Sequence, residues 1–78
     1  MIKDLIPSCQ IPLKQFAVIE KLEGDPSLIL RIREMGFNEG TTISRANITH
    51  KKCIIINHKG KKFYFNEDIA HSILVRLI

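Results

Sequence analysis

The stretch RIREMGFNEGTTI (residues 31–43) decides the fold, because a helix end, a turn and the beginning of a strand follow one another within it. Gly36 stands where a helix commonly ends in the left-handed conformation, which glycine adopts at least cost. Phe37 follows at the position that packs back onto the last turn in a Schellman motif. The segment FNEG then predicts a tight turn that closes on Gly40, and β-branched residues begin a strand. The stretch therefore predicts an α-to-β transition.

The helix that leads into this stretch has a clear beginning in the segment EGDPS (residues 23–27). Asp25 is a favourable N-cap, and Pro26 suits the first helical position because its missing N–H has no intrahelical partner there. The pattern predicts a helix from about Pro26 to Met35. Four residues at helical spacing form its apolar stripe: Leu28, Ile29, Ile32 and Met35.

The rest of the chain reads as short strands. Residues 16–22 (FAVIEKL), 41–46 (TTISRA), 52–57 (KCIIIN), 61–65 (KKFYF) and 73–78 (ILVRLI) have strand composition, joined by connections at 48–52 and around the hairpin glycine Gly60. Asn66 can cap a helical turn over residues 67–72. Residues 1–12 predict an extended N-terminal arm without regular structure. Short strands joined by hairpins, with one early helix, favour a mainly β, small barrel.

The bulk properties fit one domain spanning residues 1–78. The chain is 45% hydrophobic and 26% charged, as in ordinary globular proteins. It contains no apolar run approaching the roughly 20 residues of a membrane span and no signal-peptide pattern, so we expect a cytoplasmic protein. Two cysteines are too few for a disulfide framework, and we expect reduced thiols, with Cys53 buried.

The charge is asymmetric and raises the hypothesis of an anionic partner. Residues 1–40 carry five basic and six acidic side chains, whereas residues 41–78 carry seven basic and two acidic ones. Consecutive hairpin ends lie roughly 17 Å apart along a shared strand, which argues against one continuous phosphate-binding stripe. Lysine at strand edges also protects against aggregation, so solvated charge is the favoured interpretation. The residues in question are Lys51, Lys52, Lys59, Lys61 and Lys62, with Phe63, Tyr64 and Phe65 as possible stacking groups, of which alternation buries at least one.

Catalytic and metal chemistry find little support. The sequence has no nucleophile elbow and no phosphate-binding glycine loop, so we expect no enzymatic activity. His50 and Cys53, with His58 as a third donor, could form a metal site, but solvated turn histidines and a packed cysteine are favoured. His71 is expected to be structural. We therefore predict no metal site and no cofactor.

The order of these motifs resembles the FeoA family, the small cytosolic partners of the ferrous iron transporter FeoB. Arg31-Ile32, Glu34-Met35-Gly36-Phe37 and Gly40-Thr41 match the family pattern in order and spacing, over about residues 13 to 78. Lys14 stands where the family usually has glycine before the first strand, and Glu39 replaces the usual turn proline. The resemblance implies an SH3-like β-barrel with a helical insertion after the first strand and a short helical turn before the last.

The resemblance also implies a function: a regulatory accessory of ferrous iron uptake that binds the cytosolic GTPase domain or tail of a FeoB-type transporter and meets the membrane only through it. Nucleic acid is not the expected partner, although a nucleic-acid-binding barrel and a metal-sensing module remain alternatives. Leu30 lies off the apolar stripe of the helix, beside Arg31 and Arg33, so we expect it to be partly exposed. An apolar residue beside arginines suggests a contact site, with a solvated helix face as the alternative. The hypothetical partner surface comprises Leu30, Arg31, Arg33, Asn38 and Glu39.

Overall fold

The computed structural model describes residues 5–50 and 53–78, with the side chains of residues 47–50 and 53 left aside. Six strands form one antiparallel sheet, and two short α-helices and one 3-10 helix pack on it, which confirms the mainly β architecture. The elements are β1 (Ile6–Pro7), a 3-10 helix (Ser8–Gln10), β2 (Phe16–Leu22), α1 (Pro26–Glu34), β3 (Thr42–His50), β4 (Cys53–His58), β5 (Lys61–Phe65), α2 (Glu67–Ser72) and β6 (Ile73–Leu77).

The sheet order is β1-β6-β2-β3-β4-β5, so the last strand lies between the first two. In β6, Val75 pairs with Ile6 of β1 and with Ile19 of β2. Helix α2 contacts β1, the 3-10 helix and β5. Because β1 and β5 are the two ends of the sheet, α2 bridges the opening between them and closes the curved sheet over its core.

The N-terminal arm contains regular structure, so the prediction of an irregular extended arm over residues 1–12 is wrong for its described part. Ile6–Pro7 pair with β6, and Ser8–Gln10 form one 3-10 turn. The Ser8 hydroxyl is fully buried and donates to the carbonyl of Ala70 in α2 at 2.8 Å. Ile11 is fully buried as well. A two-residue strand leaves no periodicity in the sequence, and only its pairing partners, 67 and 69 residues later, reveal it.

Helix α1 begins and ends where its flanking residues require. Pro26 is its first residue, and the Asp25 carboxylate accepts from the Ser27 hydroxyl rather than capping the backbone. At the other end, Gly36 N–H donates to the Arg33 carbonyl at 2.9 Å, and Phe37 N–H donates to the Ile32 carbonyl at 3.2 Å. These are the two hydrogen bonds of a Schellman motif. The φ angles of Gly36, Gly40 and Gly60 are 97°, 88° and 81°.

The core is built largely from isoleucine, with Phe37 and Phe65 as its largest side chains. The Phe37 ring lies edge-on to Phe63 at 4.9 Å and to Phe65 at 5.1 Å between centroids. The buried cluster comprises Ile11, Ala17, Ile19, Leu22, Ile32, Phe37, Ile43, Ile54, Ile56, Phe65, Ala70, Ile73 and Val75.

Two expected placements differ from the structure. Met35 is 37% exposed, although its N–H still donates to the Arg31 carbonyl at 3.1 Å and keeps the helical spacing, so helical spacing alone does not bury this C-cap residue. His58 is not a solvated turn histidine. It ends β4, its ring lies 5.1 Å from that of Phe37, and its Nδ1 is buried.

The hairpins also refine the prediction. Strand β3 extends to His50, so residues 48–50 belong to the sheet rather than to a connection. The turn between β4 and β5 consists of Lys59 and Gly60, with φ of 52° and 81°. Positive φ at both central positions is the requirement of a type I′ turn, which matches the twist of the flanking strands. A lysine therefore shares with Gly60 the unfavourable conformation that we assigned to glycine alone.

Candidate protein-binding surface and family membership

The C-terminal end of α1 and the following turn bring most of the hypothetical partner residues together. We call this the helix-end surface, defined by Leu30, Arg33, Asn38 and Glu39. Leu30 and Arg33 are three residues apart and therefore lie on neighbouring positions of one helix face. Asn38 and Glu39 reach the same side because Gly36 reverses the chain. Gly40 N–H then donates to the Ile19 carbonyl at 2.7 Å, which fixes the turn to β2.

The polar groups of this surface are held by one another. The Arg33 guanidinium donates to both carboxylate oxygens of Glu39, at 2.7 Å from Nη1 and 3.0 Å from Nη2. Arg33 Nη1 also donates to the Asn38 side-chain oxygen at 3.4 Å. The paired hydrogen bonds from Arg33 lower the pKa of Glu39 from 4.5 to about 2. A two-pronged arginine–carboxylate pair has a more specific geometry than a single contact, so it favours one mutual arrangement of the two side chains.

The apolar part of the surface is exposed. The Leu30 side chain is 57% exposed on the helix face opposite the buried Ile32. Met35 is also exposed, but it lies about 140° around the helix from Leu30 and does not belong to this surface. Arg31, the fifth residue of the hypothesis, is about 100° around the helix from Leu30 and lines the cleft between α1 and α2 instead. The structure thus joins four of the five residues and separates Arg31 from them.

The cleft between α1 and α2 was not foreseen from the sequence. Its volume is about 660 Å³, and Leu28 and Ile69 contribute apolar walls. Three carboxylates line it, those of Asp25, Glu67 and Asp68. The Ser27 hydroxyl, which donates to the Asp25 carboxylate, lowers the pKa of Asp25. About thirty residues, mostly of β-structure, separate the two helices in the chain, so no local pattern could have revealed the cleft.

A shallow groove on the sheet has the opposite charge. It has a volume of about 300 Å³ and is lined by Lys14, Phe16, Asn57 and Lys62, among others, with no carboxylate among its described lining residues. Phe16 is 58% exposed.

Strand β5 buries Phe65 fully, half-buries Phe63 and leaves Tyr64 exposed, which agrees with the expected alternation. Lys59, Lys61 and Lys62 are exposed, and Lys51 and Lys52 lie outside the described residues.

The hypothetical metal set of His50, Cys53 and His58 is not assembled. Cys53 and His58 begin and end β4, roughly 16 Å apart at about 3.3 Å per residue, so His58 cannot be a third donor beside Cys53. The side chains of His50 and Cys53 lie outside the description, although their backbones pair across the hairpin. Within residues 5–50 and 53–78, no group of three or more His, Cys, Asp or Glu side chains could hold a metal ion.

Comparison with known protein families identifies the chain. The model of the FeoA domain matches residues 9–77. The chain belongs to the FeoA family. FeoA proteins are small accessory domains without a catalytic role, and membership implies a role in ferrous iron transport. A comparison with curated proteins gives no match. In the part of the chain that the structure describes, neither helix is long and apolar enough to cross a membrane.

Solved structures share the fold at low sequence identity. A crystal structure of an iron uptake regulatory protein, FeoA, superimposes with a TM-score of 0.83 at 20% identity and covers 96% of this chain and all of that one. The solution structure of FeoA from Chlorobium tepidum gives 0.80 at 15% identity, covering 94% and 70%. ScaR with bound Zn²⁺ gives 0.80 at 16% identity, and this chain spans 37% of its length. These likenesses confirm the SH3-like barrel of the FeoA fold.

Proposed function

We propose that this FeoA-family protein is a cytosolic accessory of ferrous iron uptake that binds the cytosolic GTPase domain or tail of a FeoB-type transporter through the helix-end surface. Family membership supports the role in iron transport. The choice of surface rests on one observation: Leu30, 57% exposed, stands beside an Arg33–Glu39 pair whose side chains already bind each other.

An exposed apolar residue with a pre-ordered polar rim has the anatomy of a binding hot spot. Affinity in protein interfaces is concentrated in a few apolar or arginine anchors, surrounded by polar groups that exclude water. Each flexible side chain that binding immobilises costs about 0.5–1.5 kcal/mol. Because Arg33 and Glu39 are ordered by their ion pair before any partner arrives, part of that cost is already met in the free protein. Arg33 also retains donors for a partner's carbonyl or carboxylate groups.

The test is binding to the isolated soluble domain of the transporter, measured by calorimetry and by NMR shift mapping. Leu30→Ala should weaken binding at least about tenfold, which corresponds to about 1.4 kcal/mol. Leu13→Ala is the matched control, because Leu13 is 54% exposed and lies in another part of the molecule. Equal affinities for the two variants, or shifts that leave residues 28–40 unperturbed, would contradict the assignment of this surface.

The nucleic-acid alternative has its own observation in the groove lined by Lys14, Phe16 and Lys62. Exposed aromatic rings beside lysines can stack bases and bind phosphates. RNA binding that weakens steeply with salt and is lost in Phe16→Ala would favour this alternative. The same variant should leave transporter binding unchanged if the helix-end surface is the protein interface.

A further inference from the structure

The fold brings Cys9 and His71 together, although 62 residues separate them in the chain. The Cys9 thiol sulfur lies 3.8 Å from Nε2 of His71. Cys9 belongs to the 3-10 helix and is half-buried, whereas His71 lies in the last turn of α2 and is exposed. Thiolate and imidazole are both common ligands of first-row transition metals in proteins.

Each member of the pair is positioned by its own anchors. The Cys9 carbonyl accepts from Nη1 of Arg45 at 3.1 Å, and the neighbouring Ser8 hydroxyl donates to the Ala70 carbonyl of α2 at 2.8 Å. The 3-10 helix is thereby fastened to the helix that carries His71. At 3.8 Å the Cys9 thiol and His71 Nε2 form only a weak hydrogen bond, because sulfur is a weak hydrogen-bonding atom. The backbone anchors, together with this weak contact, hold the two groups facing each other.

The orientation of the imidazole ring suits a metal ligand. Nδ1 of His71 lies 2.8 Å from the Glu67 carbonyl oxygen, which accepts only, so Nδ1 carries the proton and donates. In the neutral ring the lone pair is then on Nε2, the atom that faces Cys9. Histidines that bind metals through one nitrogen usually donate the other N–H to a carbonyl or carboxylate, because this fixes the ring and raises the basicity of the ligand.

The separation of the two donor atoms also suits coordination of one metal ion by both. With a metal–sulfur distance of about 2.3 Å and a metal–nitrogen distance of about 2.0–2.1 Å, two ligands at the tetrahedral angle lie about 3.6 Å apart. The observed Sγ–Nε2 separation of 3.8 Å is slightly longer. A side-chain rotation within one rotamer well changes the separation by more than this difference. One ion can thus contact both atoms without displacing either helix.

We propose that Cys9 and His71 form an open, two-ligand site for a divalent first-row transition-metal ion such as Zn²⁺, Co²⁺ or Fe²⁺. On binding, the Cys9 S–H bond breaks, a sulfur–metal bond forms, and the proton leaves to solvent. The remaining coordination positions are filled by water, since no third His, Cys, Asp or Glu within the described residues completes the set. The site is therefore exchangeable, unlike a closed structural zinc site. It does not depend on the proposed transporter contact.

Cobalt provides the probe, because thiolate coordination to Co²⁺ gives a charge-transfer band in the near ultraviolet. Titration of the reduced, full-length protein under anaerobic conditions should give a band that saturates at one ion per chain. Cys9→Ser should abolish the band, His71→Gln should weaken binding at least tenfold, and Cys53→Ser should change neither. Excess Zn²⁺ should displace Co²⁺ and remove the band.

Three results would overturn the site: a band that persists in Cys9→Ser, a band that is lost in Cys53→Ser, or equal affinity in wild type and His71→Gln. Equal affinity in wild type and His71→Gln would show that the Cys9 thiol binds the metal without His71. An independent measurement avoids any folding defect of the variants. Zn²⁺ added to the wild-type protein should shift the His71 ring resonances selectively, and His58, whose ring packs on Phe37, should not respond. Unperturbed His71 resonances at saturating Zn²⁺ would refute the proposal.

Discussion

Replacement of Phe37 tests whether the aromatic cluster joins α1 to the sheet. Phe37→Ala would cost about 3–5 kcal/mol, a large part of the roughly 4–12 kcal/mol expected for 78 residues, and could leave too little folded protein to measure. Phe37→Leu keeps most of the apolar volume and removes the ring. Two edge-on contacts, at 4.9 Å to Phe63 and 5.1 Å to Phe65, are lost. At about 0.5–1.5 kcal/mol each, we expect a loss of about 1–3 kcal/mol.

The assay is urea denaturation followed by circular dichroism, because the chain has no tryptophan. Phe16→Leu is the control: Phe16 is 58% exposed, so this change should stay within about 0.5 kcal/mol. A double-mutant cycle with Phe65→Leu separates ring contact from burial and should show coupling of at least about 0.5 kcal/mol. If Phe37→Leu costs no more than the control, or the cycle is additive, the aromatic contacts do not stabilise the fold.

Four further predictions follow from single residues. Gly36→Val should lower the free energy of unfolding by at least about 1 kcal/mol, because a β-branched residue is strained at φ 97°; an unchanged urea midpoint would exclude this. Lys14 has φ 64°, so Lys14→Gly should raise the thermal midpoint by removing a strain of about 1–2 kcal/mol, partly offset by glycine entropy; a lower midpoint would refute it. Asn66 caps α2 by accepting from Ile69 N–H at 3.0 Å, and Asn66→Ala should cost about 1 kcal/mol in urea denaturation, whereas no loss would mean that the cap is unimportant. Because Arg33 lowers the pKa of Glu39, the pair stabilises the fold above pH 4.5 and this contribution is lost as the pH falls toward about 2. Carbon NMR titration should find the pKa of the Glu39 carboxyl near 4.5 in Arg33→Gln. Equal Glu39 pKa values in the wild type and in Arg33→Gln would contradict the ion pair.

The sequence predicted those elements whose signals are local. Residues 16–22 form β2 as expected, α1 begins at Pro26, and Asn66 caps α2, because strand composition and capping chemistry act over a few residues. The FeoA family usually has glycine before the first strand, where this chain has Lys14. The positive φ of Lys14 explains that preference, since glycine adopts this conformation without strain.

The features that escaped prediction depend on contacts between distant parts of the chain. Strand β1 exists because β6 pairs with it, and His58 is half-buried because Phe37 covers its ring. The Cys9–His71 pair and the cleft between the helices arise from the same long-range packing. The exposure of Leu30 was foreseen from its place on the helix, whereas the ion pair that orders its neighbours was not, because it needs the chain reversal at Gly36.

The position of β6 has a consequence for how the protein is made. Synthesis proceeds from the N-terminus, so β1 and β2 leave the ribosome without the strand that belongs between them. At about 5–20 residues per second, residues 1–72 take roughly 4–14 s to appear, and during that time both strands carry free edges. Folding of the complete barrel cannot precede residues 73–77. A nascent chain stalled at residue 72 should therefore remain sensitive to protease and available to chaperones, whereas a chain whose residues 73–77 have left the ribosome can close the sheet.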